Sequence, residues 1–133
     1  MQIMAFDHIK LQVPATLFDE TVAFYASTLG LPVEGRRRYE RGEKPFLSVR
    51  IAAESVIHLE PVEGPLASED RPVDHLALRV DAPIGTIIDH CEAAGVPIDR
   101  RLEALGAMGE APAVYIRDPT GMRVELKSAV SAG

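Results

Sequence analysis

The sequence has a single cysteine and no tryptophan, and aromatic residues make up only 5% of it. One cysteine, Cys91, cannot form a disulfide within the chain, which fits the reducing environment of the cytoplasm. Proteins that bind single-stranded nucleic acids stack the bases on aromatic side chains, and this sequence has few of them. We therefore expect neither a disulfide-stapled secreted domain nor a binder of single-stranded nucleic acid.

Long apolar runs and an excess of basic residues are also missing. No stretch approaches the roughly 20 apolar residues that span a membrane, and the first residues lack the features of a signal peptide. The formal net charge is −6, whereas nucleic acids and anionic membrane surfaces attract basic proteins. These absences predict a cytoplasmic protein without nucleic-acid or membrane partners.

The one basic cluster consists of Arg36–Arg38 and Arg41, and it is flanked by Glu34, Glu40 and Glu43. Alternating charges of this kind are typical of a solvated surface. We interpret the cluster as a solvated edge strand, with an anion site that faces the substrate as the alternative.

The sequence does contain a repeat. Its 133 residues suffice for one ordinary domain or two very small ones. Residues 6–13 (FDHIKLQV) align with residues 73–80 (VDHLALRV), and residues 56–59 (VIHL) align with residues 123–126 (RVEL), both at an offset of 67 residues. Two copies of one module therefore account for almost the whole chain. We expect one domain over residues 1–133, with module 1 at about 1–62, a linker at 63–72 and module 2 at about 73–129.

The sequence pattern of each module predicts the element order βαβββ. In module 1, residues 5–13 alternate as in a half-buried strand that Pro14 ends, and Thr16 can cap a helix that runs to about Leu29, before Gly30. The other strands are expected near 32–40, 45–52 and 55–61. In module 2 we expect a strand at 73–81, a helix at about 84–94, and strands near 96–102, 112–117 and 122–128. Asp118–Gly121 reads as a hairpin turn between the last two strands. The predicted fold class is α+β with mixed sheets.

The first and last strands of each module have two different faces. One face is aliphatic and should pack beneath the helices. The other is polar and carries three of the four histidines and one glutamate at matching positions, so that His8 corresponds to His75, and His58 to Glu125. Imidazole and carboxylate groups suit Zn, Ni, Fe or Mn. Because four such groups stand in register, we favour a divalent-metal site of these four residues over unrelated surface side chains.

We expect structural roles for the other titratable side chains near these four residues and on the second helix. Asp7 and Asp74 each precede a strand histidine, and we interpret them as polar groups at strand edges rather than as partners of the imidazoles. His90 and Cys91 lie on the second helix, outside the repeated set. We expect them to be a surface residue and a packing residue.

Basic residues on the polar face predict an anionic small-molecule substrate, and ordinary solvated strand residues are the alternative. These residues are Lys10, Arg79, Arg123 and Lys127. Tyr115 is a candidate hydrogen-bond donor to the substrate, with a packed tyrosine as the alternative.

Four segments together resemble the vicinal oxygen chelate superfamily, which includes glyoxalase I, extradiol dioxygenases and bleomycin resistance proteins. The segments are Phe6–Ile9, Phe24–Tyr25 with Leu29–Leu31, Val73–Ala77, and Arg117–Leu126. The resemblance covers essentially the whole chain. It implies that each βαβββ module forms half a barrel, that the two halves enclose a metal cavity, and that His8, His58, His75 and Glu125 take the ligand positions. Among the members, the chain looks most similar to small glyoxalase-I-like proteins.

The resemblance leaves the reaction open. A glyoxalase-like lyase or isomerase would use Zn, Ni, Fe, Mn or Co, with Glu125 and His58 as catalytic residues. Glyoxalase I has a glutamate where this chain has His58, so Glu125 is the one ligand carboxylate here. An Fe(II) extradiol dioxygenase would need only His8, His75 and Glu125. A small-molecule binding or antibiotic-resistance protein without turnover is the third alternative. Relatives of this length are usually homodimers, which implies a homodimer here as well.

Overall fold

The structure is a computed structural model that describes residues 1–2, 4–64 and 73–130. The chain divides into two compact units, Met1–Ser68 and Glu69–Gly133. Each unit contains one four-stranded mixed sheet and few helices, which confirms the predicted α+β class. Most of the predicted linker, residues 65–72, lies outside the described residues.

The first unit contains four strands and two short α-helices. The strands are β1 (His8–Pro14), β2 (Val33–Glu34), β3 (Leu47–Ala52) and β4 (Ser55–Val62), and the helices are α1 (Phe18–Ala23) and α2 (Arg36–Glu40). The sheet order is β1-β4-β3-β2. β1 runs parallel to β4, whereas the other pairs are antiparallel. The first and last strands of the unit are therefore neighbours.

The second unit has the predicted order βαβββ. Its strands are β5 (Leu76–Val80), β6 (Arg100–Gly106), β7 (Gly109–Arg117) and β8 (Arg123–Ser128), and its helix is α3 (Ile84–Ala93). The sheet order β5-β8-β7-β6 repeats that of the first unit, again with a parallel pair of first and last strands.

The aliphatic face of each sheet is buried, as predicted. In the first unit α1 packs on β1 and β4, above Val13, Ile57 and Leu59, which are at most 1% exposed. In the second unit α3 packs on β7 and β8, above Val124 and Leu126. Burial of one face fixes the strand register, and this register holds the polar residues together on the opposite face.

The predicted helix from Thr16 to Leu29 is wrong in detail. The segment consists of a 3₁₀ turn, the α-helix α1 and a π-helical turn over Phe24–Thr28. Thr16 forms no capping hydrogen bond. The π-helical turn is explained by Phe24 and Tyr25, whose rings are both buried and pack edge to face. Adjacent residues of an α-helix lie about 100° apart around its axis. In the wider π-helical turn this angle is smaller, so both rings can face the buried side.

The predicted edge strand of the arginine cluster is also wrong. Only Val33–Glu34 forms a strand, and Arg36–Glu40 forms the short helix α2. Gly35, with φ of 83°, provides the left-handed residue that turns the chain into this helix. The arginines are exposed, which agrees with the solvated interpretation of the cluster.

Several strands, among them β1, β5, β6 and β7, begin or end elsewhere than expected. β6 starts at Arg100 instead of 96 and continues to Gly106, because it pairs along its whole length with β7. β7 begins at Gly109, so that the two strands form a tight hairpin at Ala107–Met108. His75 lies just before β5 rather than inside it.

The turn between β7 and β8 is confirmed. The Oδ1 atom of Asp118 accepts hydrogen bonds from the backbone N–H and hydroxyl of Thr120, at 2.8 and 2.6 Å, and from the backbone N–H of Met122 at 3.0 Å. Gly121 takes a φ of 86°. Within the described residues, no helix has the length and apolarity needed to cross a membrane.

Candidate functional site

In the first unit, His8 on β1 and His58 on β4 lie side by side. Their rings are stacked, with centroids 4.4 Å apart and planes inclined by 9°. The ring of Phe46 also stacks on His58, at 4.1 Å. Partial burial lowers the pKa of His58, and the charges of His8 and Lys10 lower it further. This environment favours the neutral imidazole, which is the form that binds metals.

In the second unit, His75 and Glu125 form the corresponding pair. The Nε2 atom of His75 is 3.6 Å from the Oε1 atom of Glu125. The Glu125 side chain is 6% exposed, whereas that of His75 is 32% exposed. A buried carboxylate beside an accessible imidazole is suited to binding a cation or to accepting a proton.

His8 and His75, the two corresponding histidines of the repeat, each have an aspartate partner. The Nδ1 atom of His8 lies 2.7 Å from the Oδ2 atom of Asp7, and the Nδ1 atom of His75 lies 2.7 Å from the Oδ2 atom of Asp74. These hydrogen bonds contradict the interpretation of both aspartates as simple strand-edge groups. An aspartate on Nδ1 leaves Nε2 as the nitrogen that is free to bind a metal.

Asp74 also lies within hydrogen-bond distance of an arginine, a contact that Asp7 does not make within the described residues. The Nη1 atom of Arg123 lies 3.4 Å from its Oδ2 atom. The hydrogen bond with His75 and the charge of Arg123 both lower the pKa of Asp74, the hydrogen bond more strongly. At the position of Arg123, the repeat places Val56 in the first unit, so this arrangement occurs on one side only.

The donor chemistry of the four predicted ligands fits a divalent metal. Three imidazole nitrogens and one carboxylate oxygen suit Zn, Ni, Fe, Mn or Co. The described residues bring them together as two pairs, one in each unit, and contain no group of three or more metal-binding side chains. A single site made of all four residues therefore stays a prediction.

Two of the five predicted substrate-binding residues lie beside His75. The ring of Tyr115 is 5.5 Å from that of His75, and the guanidinium of Arg123 lies 5.1 Å from the centre of the Tyr115 ring. Arg79 is exposed on β5. Lys10 lies in the first unit, where its Nζ atom is 3.6 Å from the Oε1 atom of Glu60 and 5.0 Å from the centre of the Phe46 ring.

The polar faces of the two sheets differ in charge. In the first unit, Arg50 binds Glu34 at 2.8 Å and Lys10 is paired with Glu60. The face around Glu125 instead carries five cationic side chains: Arg79, Arg100, Arg117, Arg123 and Lys127. Asp74 and Asp99 at its edge compensate only part of this charge.

A cavity of about 800 Å³ lies against this basic face of the second unit. His75, Glu125, Arg79 and Lys127 line it, together with Glu103, Glu110 and apolar residues of the β6–β7 hairpin. Leu105 and Met108 on that hairpin are 79% and 78% exposed. Neither residue is indicated by the sequence alone, because the pattern does not predict the hairpin.

Lys127 connects the cavity to the hairpin. Its Nζ atom donates a hydrogen bond of 2.6 Å to the carbonyl oxygen of Gly109, and the residue is 8% exposed. A Cβ atom on Gly106 would lie 2.6 Å from that Nζ atom. Glycine at position 106 therefore leaves room for the lysine.

Cys91 is buried in α3, as expected of a packing residue. Burial raises the pKa of its thiol. A thiol of this kind is a poor nucleophile.

The comparisons with known proteins agree with this architecture. The profile of the Glyoxalase/Bleomycin resistance protein/Dioxygenase superfamily matches residues 5–126. Virulence protein STM3117 of Salmonella typhimurium is 28% identical over 134 residues, which cover 98% of this chain and 88% of that protein. Its crystal structure superposes with a TM-score of 0.74 at 26% identity, covering 98% of this chain and 100% of that one.

Two further crystal structures are similar in fold. Lactoylglutathione lyase from Agrobacterium tumefaciens has a TM-score of 0.68 at 18% identity, with 96% of each chain covered. A glyoxalase/dioxygenase from Nostoc punctiforme has a TM-score of 0.70 at 16% identity, with 98% of this chain and 99% of that chain covered. Because the family profile spans nearly all of the sequence and the fold agrees, the chain belongs to the Glyoxalase/Bleomycin resistance protein/Dioxygenase superfamily.

Proposed function

We propose that the protein is a metal-dependent lyase or isomerase of the glyoxalase type that acts on a small anionic substrate with two neighbouring oxygens. The observation that carries this proposal is the pair of His75 and Glu125, in which a buried carboxylate lies 3.6 Å from an imidazole nitrogen. Asp74 binds the other nitrogen of that imidazole. The proposal includes a cytoplasmic homodimer, as in many relatives.

His8, His58, His75 and Glu125 are the proposed metal ligands. The metal, when bound, supplies a Lewis acid that polarises the substrate oxygens. Asp7 and Asp74 hold the imidazoles of His8 and His75 so that each Nε2 atom is available.

The chain's own residues supply the proton transfer. Glu125 is the proposed base that takes a proton from the carbon beside the carbonyl group, and burial keeps competing water away from it. His58 is the second candidate base. The side chains of Lys10, Arg79 and Arg123 attract the anionic substrate, and the hydroxyl group of Tyr115 donates a hydrogen bond to it.

A second function, an Fe(II)-dependent ring-cleaving dioxygenase, is favoured by one observation. His58 is stacked between Phe46 and His8, and this packing favours a set of three ligands without it. His8, His75 and Glu125 then form the two-histidine, one-carboxylate set that such enzymes use.

Metal titration of the chelator-treated protein tests both proposals. We expect Co(II) to produce ligand-field absorption bands, and His8→Ala and Glu125→Ala to weaken its binding by at least about 100-fold, more than the loss of a supporting residue. His90→Ala is the matched control, because this exposed histidine lies on α3 outside the predicted set, and it should leave the affinity unchanged. Full metal occupancy in both ligand variants would refute the proposed site.

Activity assays then separate the functions. The lyase predicts turnover of the hemithioacetal of methylglyoxal with Ni, Co or Zn and none with catechols. Oxygen uptake on catechols with Fe(II), together with intact metal binding in His58→Ala, identifies the dioxygenase. Metal binding without turnover of either substrate class would contradict both enzyme proposals and favour a binding or resistance protein.

A further inference from the structure

A recess of about 460 Å³ lies on the second unit and is bordered by five residues: Asp99, Arg100, Tyr115, Arg117 and Arg123. Of these five residues, the sequence pattern alone indicates only Tyr115 and Arg123 as candidates for substrate binding. Arg100 and Arg117 join them because β6, β7 and β8 pair in register.

The register of these strands places like charges together. Arg117 lies directly opposite Arg123 in the antiparallel pair of β7 and β8, and Arg100 lies directly opposite Tyr115 in the pair of β6 and β7. Like charges directly opposite each other destabilise a sheet. A bound anion would relieve this repulsion.

Part of the positive charge is compensated within the unit. The Nε atom of Arg117 binds the Oδ2 atom of Asp99 at 2.8 Å, and Arg123 is 3.4 Å from Asp74. Arg100 forms no hydrogen bond or ion pair with any residue of the described part of the chain. One full positive charge therefore borders the recess without a carboxylate partner.

The donors at the recess fit one chemical class of ligand. A guanidinium group binds the two oxygens of a carboxylate or phosphate group side by side. The Tyr115 ring, 5.1 Å from the guanidinium carbon of Arg123, supports that arginine from one side. The same ring lies 5.5 Å from the ring of His75, so the recess is next to the proposed metal ligand.

We propose that this recess binds the carboxylate or phosphate group of the substrate, at the end away from the reacting carbon, through Arg100, Arg117 and Arg123. The assignment of this anion to the substrate rests on the proposed function. The anion site itself rests on the three arginines.

Anion titration of the metal-free full-length protein tests the site. Inorganic phosphate and, separately, acetate are added while backbone amide shifts are followed by NMR. We expect saturable shifts centred on Arg100, Tyr115 and Arg117, and about a tenfold weaker affinity in Arg100→Gln, as for loss of one hydrogen bond to a charged group. Tighter binding of phosphate than of acetate assigns a phosphate group, and the reverse assigns a carboxylate.

Arg101→Gln is the matched control. Arg101 follows Arg100 in the same strand, faces the other side of the sheet, and lies 3.9 Å from Glu92. The two variants remove the same charge from the protein, so an effect of overall charge would be equal in both. An equal loss of affinity in both variants, or shifts that do not saturate with either anion, would overturn the proposed site.

Metal titration of Arg100→Gln separates this inference from the proposed function. We expect wild-type metal affinity, because Arg100 is not one of the proposed ligands. Loss of anion binding with intact metal binding supports the recess. Anion binding that persists in a protein with no metal affinity refutes the proposed function and leaves the anion site standing.

Discussion

Replacement of Asp118 by alanine is expected to destabilise the protein by about 3 kcal/mol. This aspartate is 4% exposed, and its Oδ1 atom accepts three hydrogen bonds in the turn that leads from β7 into β8. Alanine keeps the backbone of the turn but removes the one atom that accepts all three hydrogen bonds. The turn precedes the strand that carries Arg123 and Glu125, so its loss also affects the candidate site.

The magnitude follows from the burial of the three donors. The hydrogen bond from the Met122 N–H is buried, and a buried donor left without a partner costs roughly 1–3 kcal/mol. The two donors of Thr120 are part-buried, so water can replace the lost acceptor and each contributes about 0.5 kcal/mol. The sum is a large fraction of the roughly 5–15 kcal/mol that stabilises a typical domain.

Urea denaturation measures this loss. With a slope of about 2 kcal/mol per M for a protein of this size, the midpoint should fall by about 1.5 M. Asp118→Asn is the matched control, because asparagine keeps the Oδ1 acceptor and replaces the charged Oδ2 atom by an amide NH2 group, and its midpoint should fall by about 0.5 M. Equal midpoints for the two variants would refute the idea that the acceptor atom stabilises the turn.

Two other perturbations test the candidate site and its surroundings. Asp74→Asn and Asp7→Asn should each weaken Co(II) binding by about tenfold because the aspartates orient the imidazoles. Asp89→Asn, on the exposed side of α3, is the control and should have no effect. Unchanged Co(II) affinity in Asp74→Asn and Asp7→Asn would argue that the aspartates do not orient the imidazoles. Gly106→Ala should lower the free energy of unfolding by about 1 kcal/mol, the net contribution of one hydrogen bond, since its Cβ atom would move the flexible, part-buried end of Lys127 away from the carbonyl oxygen of Gly109. Gly85→Ala, whose Cβ atom meets nothing within 4 Å, should instead raise it by about 0.5 kcal/mol, as thermal denaturation can show.

The duplicated sheet could be predicted because its pattern is local and repeated. Alternation in residues 6–13 and 73–80 indicates both strands and their buried faces, and the offset of 67 residues indicates which polar groups correspond. The hairpin of β6 and β7 could not be found in this way. Its register depends on pairing between strands, and Pro112 lies within β7.

The residues of the candidate site could be predicted from the sequence, whereas most of the contacts between them could not. His8, His58, His75 and Glu125 stand out by their symmetry, but the sequence does not show that Phe46 stacks on His58. Arg100 was overlooked because it lies in a strand outside the repeated motif. Only the alignment of three strands shows that it borders the same recess as Arg123.

The parallel pairing of β1 with β4 and of β5 with β8 has a consequence for the order of assembly. The partners His8 and Val56 are as far apart in sequence as Leu76 and Val124, and each pair closes the longest loop within its own sheet. Such distant contacts carry a high entropic cost and slow folding. Each donor pair comes from these same two strands, except that His75 directly precedes β5, so it forms only when the final strand of a unit docks beside the first. Metal affinity in this protein should therefore report completed folding of a unit rather than the presence of its individual strands.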